Sequence, residues 1–415
     1  MPIELTEEMK TAFETSLADA APVIFATAGK DGTPDIAFKG SAMVFDSEHV
    51  AYWERALGTT YRNLQENPGI CLLYRNMATR TVWKMFGQAE VLTEGPVRQQ
   101  VMDGAAAYKA HGADAVVGLG GGAALDVAKA VALMATHPGD ILEYAWDHPN
   151  VRPMDRPIPW FVALPTTSGT GSEVGRSSVI ADDVTHVKKI IFSPLLLAKA
   201  VFADPELTVD LPSLITAATG MDALTHNVES YLSPAYHPLC DGIALEGVRI
   251  AARALPKAVA NGRDIGARSD MLMSSMMGAI AFQKDLGAVH SCAHALSTVT
   301  DMHHGLANGI MIDHVMRFNL SAATGKLAEL AHVAAVPDGD VGSPEARARA
   351  FIDWLGDLKA TIGIPAKLAD YCAPRPIQRS DIARLVEIAT ADICHNTNPR
   401  KCTAADFEKL FLTAL

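Results

Sequence analysis

An excess of positive charge is missing from this chain. Lys and Arg number 35 against 47 Asp and Glu, a formal net charge of −12. That balance speaks against nucleic acid or an anionic membrane as a main partner. No uninterrupted apolar stretch reaches the length of a membrane span. The opening residues, Met1 to Glu8, are acidic where an export signal is basic and then apolar, so no signal peptide is read. The six cysteines (Cys71, Cys240, Cys292, Cys372, Cys394, Cys402) show no C-x-x-C spacing. They read as reduced, mostly buried thiols, which points to the cytoplasm. Repeats and low-complexity segments are absent as well.

What the chain does have is length and histidine. Its 415 residues suggest two or three domains with ample material for buried cores. Asp222 and His226 stand four apart, about one helical turn, and so share one helix face. His290, His294, His303 and His304 then crowd into fifteen residues. Taken alone, an acid and a histidine at that spacing are usually a surface or capping pair. The downstream cluster is harder to treat that way, because its surroundings (Gly287, Ala288, Val289, Ala293, Ala295, Leu296) are apolar. One carboxylate with three imidazoles makes a divalent-metal site of borderline ligands. Cys292, between two of the histidines, reads as a packing residue off their shared face.

The remaining pattern falls into three parts. Residues 5–18 read as a helix. Short strands follow at 23–28, 35–38, 42–45, 50–53, 70–74 and 82–91, with a helix at 59–67 among them. Many short antiparallel strands with one helix suggest a small barrel. At Gly104 the character changes. A helix over 105–111 leads to a buried strand at 114–119, then Gly120, Gly121 and Gly122, then a helix from Ala123. A strand, a glycine turn and a helix N-terminus can cradle a phosphate, although a tight structural turn has the same pattern. A strand over 159–164 opens into Pro165 to Glu173, rich in Thr, Ser and Gly, which suits diphosphate and ribose contacts. Residues 179–181, 187–192 and 200–204 read as further strands of the same sheet. From Leu211 the spacing is helical to the end.

The N-terminal order resembles the split-barrel flavoproteins related to pyridoxamine phosphate oxidase. The likeness rests on the strand pattern of 22–45, the helix opening Gly58 to Pro68, and Phe86 to Val91. It implies an FMN phosphate site, for which Thr59, Thr60, Arg62 and Lys39 are the available groups. Residues 104–415 resemble the iron-containing alcohol dehydrogenases through the stretches 120–129, 165–173, 220–229, 290–305 and 397–400. That resemblance implies that Asp222, His226, His290 and His304 bind the metal. It implies that Gly120, Gly121, Gly122, Asp126, Thr166 and Thr167 line the nicotinamide cofactor. Lys189 matches a lysine near the nicotinamide, and His294 a histidine beside the substrate that relays a proton. It also implies a homo-oligomer. Ala123 stands where the family commonly has serine, a loss worth about 1 kcal/mol of cofactor binding. The family's first βαβ segment is replaced by the barrel, with a seam expected at 103/104.

The expected architecture is therefore α/β plus all-α. A small split barrel (1–103) precedes a truncated Rossmann-like nucleotide-binding domain (104–210) and an all-helical metal-binding domain (211–415). The expected function is NAD- or NADP-linked oxidation of a small alcohol, or reduction of an aldehyde. Fe(II), or Zn(II) in its place, would polarise the substrate oxygen. A catalytically impaired metal-binding fusion, or an FMN oxidoreductase acting through the barrel, are the alternatives.

Overall fold

The computed structural model describes residues 4–16, 19, 21–39, 42–44, 48–52, 58–89, 97–182, 188–371 and 375–415. The chain divides into two compact units, residues 1–95 and 96–415. In the first, α1 (Glu7–Glu14) precedes β1 (Val23–Ala28), β2 (Pro34–Lys39), β3 (Met43–Val44) and β4 (Val50–Ala51). Then come α2 (Thr59–Glu66), β5 (Gly69–Asn76) and β6 (Thr81–Gln88). β1 alternates buried and half-buried residues, and its buried Val23 and Phe25 pack with Phe13, Leu64, Leu72 and Tyr74. The strands form a four-stranded antiparallel sheet in the order β2-β1-β5-β6, and β3 pairs with β4 separately. No closed barrel exists among the described residues.

The second unit opens with α3 (Val97–His111), β7 (Ala115–Gly120) and α4 (Gly122–Thr136). Residues 103 and 104 lie inside α3, so the compact units part eight residues before the expected seam. β8 (Trp160–Pro165), β9 (Ser177–Ala181), β10 (Lys188–Phe192) and β11 (Ala200–Val201) follow. β11, β8 and β7 make a three-stranded parallel sheet. The expectation that all these strands share one sheet needs correction: among the described residues β9 and β10 pair only with each other, antiparallel. Parallel neighbours need a crossover of a dozen or more residues, and only 182–187 separates these two.

The remainder is helical: α5 (Ser213–Leu232), α6 (Pro238–Ala260), α7 (Ile265–Ala281), α8 (Ala288–Thr300), α9 (His304–Val333), α10 (Pro344–Ile362), α11 (Ile382–Ala391) and α12 (Ala404–Ala414). α5 is buried on every side from Thr216 to Leu232, which makes it the central helix of this part. Close approach requires Gly305 at the start of α9. A Cβ there would fall 2.3 Å from the carbonyl oxygen of Ala218 on α5. Such packing brings the first turn of α9 onto the turn of α5 that carries Asp222.

Candidate metal centre

Asp222 and His226 project from the middle of α5, both buried, at one-turn spacing. His290 lies near the start of α8 and His304 is the first residue of α9. The structure draws all four together. The Nε2 atoms of His304, His290 and His226 stand 3.5, 3.8 and 4.0 Å from Asp222 Oδ1. Donor atoms of Asp222, His226 and His290 lie within 4.8 Å of one another. The rings of His226 and His290 stack at 4.6 Å, and those of His294 and His304 at 5.1 Å.

The donor set fits a divalent first-row ion. Bonds of about 2.0–2.2 Å to N and O leave neighbouring ligand atoms roughly 3–4 Å apart. Imidazole must be neutral to ligate. Burial, against the Asp222 charge, pulls His226 down to about 4, and burial with neighbouring cations takes His304 well below its usual range. Burial also pulls on His290, but the Glu229 hydrogen bond and the charges of Glu229 and Asp222 outweigh it and raise its pKa. That hydrogen bond joins His290 Nδ1 to Glu229 Oε2 at 2.7 Å. Holding the proton on Nδ1 leaves Nε2 as a lone pair facing Asp222.

Beside the cluster lies the glycine turn. Gly121 caps α4, and the Thr166 amide donates to the Gly120 carbonyl at 3.0 Å. The polar loop 165–173 therefore folds directly over the α4 N-terminus. A Cβ at Gly122 would fall 2.6 Å from Thr170 Oγ1 and fill the space between them. Exposed amides at a helix N-terminus, walled by hydroxyls, suit a diphosphate. The loop is pinned from below. Lys129 Nζ donates to the carbonyls of Ser172 and Ser177 and to Ser172 Oγ, at 2.6–2.8 Å. Asp126 accepts from Ser172 Oγ at 2.6 Å and from the Val179 amide at 3.1 Å.

Comparison with known proteins identifies this arrangement. Residues 216–415 match the family described as "Fe-containing alcohol dehydrogenase family, C-terminal", and residues 79–205 match "Iron-containing alcohol dehydrogenase". The 4-hydroxybutyrate dehydrogenase of Cupriavidus necator is 38% identical over 350 residues, 80% of this chain and 87% of that one. The 1,3-propanediol dehydrogenase of Klebsiella pneumoniae is 36% identical, covering 77% and 80%. A solved 1,3-propanediol oxidoreductase superposes with a TM-score of 0.72 at 36% identity, over 77% of this chain and 81% of that one. The chain belongs to the iron-containing alcohol dehydrogenase family. The sulfoacetaldehyde reductase of Bifidobacterium kashiwanohense, solved in complex with NAD+, also matches, at 30% identity and TM-score 0.67, over 76% of this chain and 80% of that one. Ahead of the dehydrogenase part, residues 5–139 match the family described as "Pyridoxamine 5'-phosphate oxidase".

In this member of the family, the expected residues do not all meet. Asp222, His226, His290 and His304 converge, with His294 beside them. Gly120 to Gly122, Thr166 and Thr167 line the turn, whereas Asp126 is buried beneath it with both oxygens engaged. Lys189 points elsewhere and pairs with Asp147 at 2.6 Å. Its neighbour Lys188 is exposed, and no hydrogen bond or ion pair ties it to the cluster among the described residues.

Three further residues touch these side chains without having been assigned a role from sequence: Glu229, which closes the 220–229 stretch, and Asn308 and Asp392, which lie outside the motifs. Asn308 Nδ2 donates to Asp222 Oδ1 at 2.7 Å and stands 3.3 and 3.2 Å from Nε2 of His290 and His304. The spacing His304-x-x-x-Asn308 could have found it, being one helical turn. In the first unit, the groups considered for a flavin phosphate are otherwise engaged. Thr60 Oγ1 donates to the Asp35 carboxylate at 2.9 Å, Arg62 donates to Thr59 at 3.2 Å, and Lys39 lies over the Tyr52 ring.

Proposed function

We propose that this chain is a metal-dependent, nicotinamide-linked alcohol dehydrogenase or aldehyde reductase. Its Fe(II), or Zn(II) in competition, is held by Asp222, His226, His290 and His304. The meeting of three imidazole Nε2 atoms around one buried carboxylate carries the reading. When bound, the ion would supply Lewis acidity toward an alcohol oxygen, and the nicotinamide would supply the hydride acceptor. The protein's own part is binding and proton handling. Asp222 supplies the negative charge, and Glu229 and Asn308 orient the ligands around it. Gly120 to Gly122, with Thr166 and Thr167, hold the cofactor diphosphate over the α4 N-terminus. His294 receives the hydroxyl proton during oxidation and returns it during reduction. In this reading residues 104–210 serve as the nucleotide-binding domain, 211–415 as the catalytic one, and the chain works as a cytoplasmic homo-oligomer. The names of its relatives suggest 1,3-propanediol and 4-hydroxybutyrate as the first substrates to try. Metal analysis with a nicotinamide absorbance assay tests the proposal. Full metal occupancy without turnover across such alcohols would sink it.

The second reading is an impaired fusion, and the sheet favours it. Parallel sheets are normally covered on both faces. Here β7 is an edge strand among the described residues, and Val117, Leu119 and Trp160 are exposed. Calorimetry with NAD and NADP separates the readings: micromolar binding supports the dehydrogenase, and only millimolar binding supports the impaired fusion. An FMN oxidoreductase acting through the first unit rests on the match of residues 5–139. Protein that is colourless after incubation with FMN and removal of the free flavin counts against it.

A further inference from the structure

His294 is held from behind by a group 98 residues away in sequence. Its Nδ1 lies 2.8 Å from Asp392 Oδ2. Asp392 follows the last residue of α11, and its other oxygen is fully used. Oδ1 accepts from Ser291 Oγ at 2.8 Å and from the Cys394 amide at 2.8 Å. Ser291 is fixed in turn by the His395 amide, which donates to its oxygen at 3.0 Å. Nothing among the described residues hydrogen-bonds His294 Nε2, and the His294 side chain keeps 29% of its surface open. A rival reading, a second metal site of His294, Asp392 and Cys394, fails on the same geometry. Asp392 and His294 already spend their facing atoms on each other, and burial raises the Cys394 thiol well above its usual range.

We propose that Asp392 is a positioning residue for the reaction: it fixes His294 as the Nδ1–H tautomer and so presents an unprotonated Nε2 to the substrate hydroxyl. The inference rests on the reading that His294 stands beside the substrate. In oxidation the hydroxyl O–H bond breaks, its proton goes to Nε2, and the hydride leaves the carbon for the nicotinamide. The resulting imidazolium keeps its Nδ1–H on the Asp392 carboxylate, which stabilises the charge. Reduction runs the same proton backwards.

The two donors on Oδ1 make a distinctive prediction. In Asp392→Asn the amide oxygen must stay with the Ser291 hydroxyl and the Cys394 amide. The amide NH2 then faces His294 Nδ1, which has to accept, and the proton moves to Nε2. Asp392→Ala leaves room for water and imposes no tautomer. Asparagine is therefore the more damaging substitution, although it is the closer isostere; a structural role ranks the two the other way.

The test is 15N-histidine NMR of the zinc-loaded full chain, with His294→Gln to assign the signal, beside steady-state kinetics on 1,3-propanediol. We expect the Nδ1–H tautomer in the wild type and the Nε2–H tautomer in Asp392→Asn, with metal content unchanged. In Asp392→Asn kcat falls by about 10²-fold or more while KM stays within about threefold. Asp392→Ala retains more activity than Asp392→Asn. A wild-type His294 protonated on Nε2, or Asp392→Asn with wild-type kcat, overturns the proposal. The tautomer is read whether or not the protein oxidises alcohols, so failure of the wider functional reading is separately visible. Should the asparagine variant not fold, the wild-type tautomer alone decides.

Discussion

One helical turn between Asp222 and His226, and the histidine cluster in an apolar stretch, point to a divalent site on spacing alone; only the family resemblance singles out His290 and His304 among the four downstream histidines. Glu229 belongs to the 220–229 stretch, but its role is not legible, since its partner His290 is 61 residues away. Lys189, which the resemblance puts near the nicotinamide, pairs with Asp147 at 2.6 Å, a partner 42 residues away that no motif contains. Glu229 accepts from the Val289 amide and from His290 Nδ1, both at 2.7 Å. Glu229→Gln must offer an NH2 to one of these donors, and metal affinity is expected to fall about 10–100-fold by competitive chelator titration. Unchanged affinity would remove Glu229 from the site. A second residue sets a pH dependence. Burial, partly offset by a backbone hydrogen bond and Lys129, pushes Glu173 up to about 7 from 4.5. Its folded pKa lies above the unfolded one, so its contribution to stability is complete below about pH 4.5 and is lost as pH rises through about 7. The stability of the wild type relative to Glu173→Gln is expected to drop by roughly 2–3 kcal/mol between about pH 5 and 8. Urea unfolding at both values measures it, and a constant difference would contradict it.

Elements were easier to find than to connect. Apolar periodicity marked most of the strands and helices to within a few residues. It could not say that β9 and β10 leave the parallel sheet, because a strand's pattern records burial and not its neighbour. The helix reading over 105–111 began eight residues late: α3 starts at Val97. Close helix contacts are equally silent in sequence, and Gly305 is the sharpest case. Gly305→Ala drives a methyl into the Ala218 carbonyl and forces α9 away from α5. Overpacking of this kind costs about 1–3 kcal/mol. Because His304 precedes the displaced residue, metal affinity should fall together with the midpoint of thermal unfolding. A variant with native stability and native metal content would mean that the two helices adjust without moving the site.

At the scale of the molecule, the family was legible because long motifs recur at fixed spacing over residues 120–400. Partition of the chain was less so. The two families overlap over residues 79–139, and the compact units part at 95/96. β7 passes as a natural first strand, so periodicity could not show that a βαβ segment is replaced ahead of it. The metal cluster is gathered from three helices around one buried core, whereas the cofactor turn stands on a sheet with an exposed edge. Turnover needs both, and the cofactor half sets the limit. The deciding measurement is NADH formation by the Fe(II)-loaded full chain with 1,3-propanediol, using Asp222→Ala treated with Fe(II) in the same way as the blank. An absorbance rise that needs the metal and vanishes in the blank is the predicted result. Wild-type protein with bound metal and bound NAD but no rise with any short alcohol would contradict it.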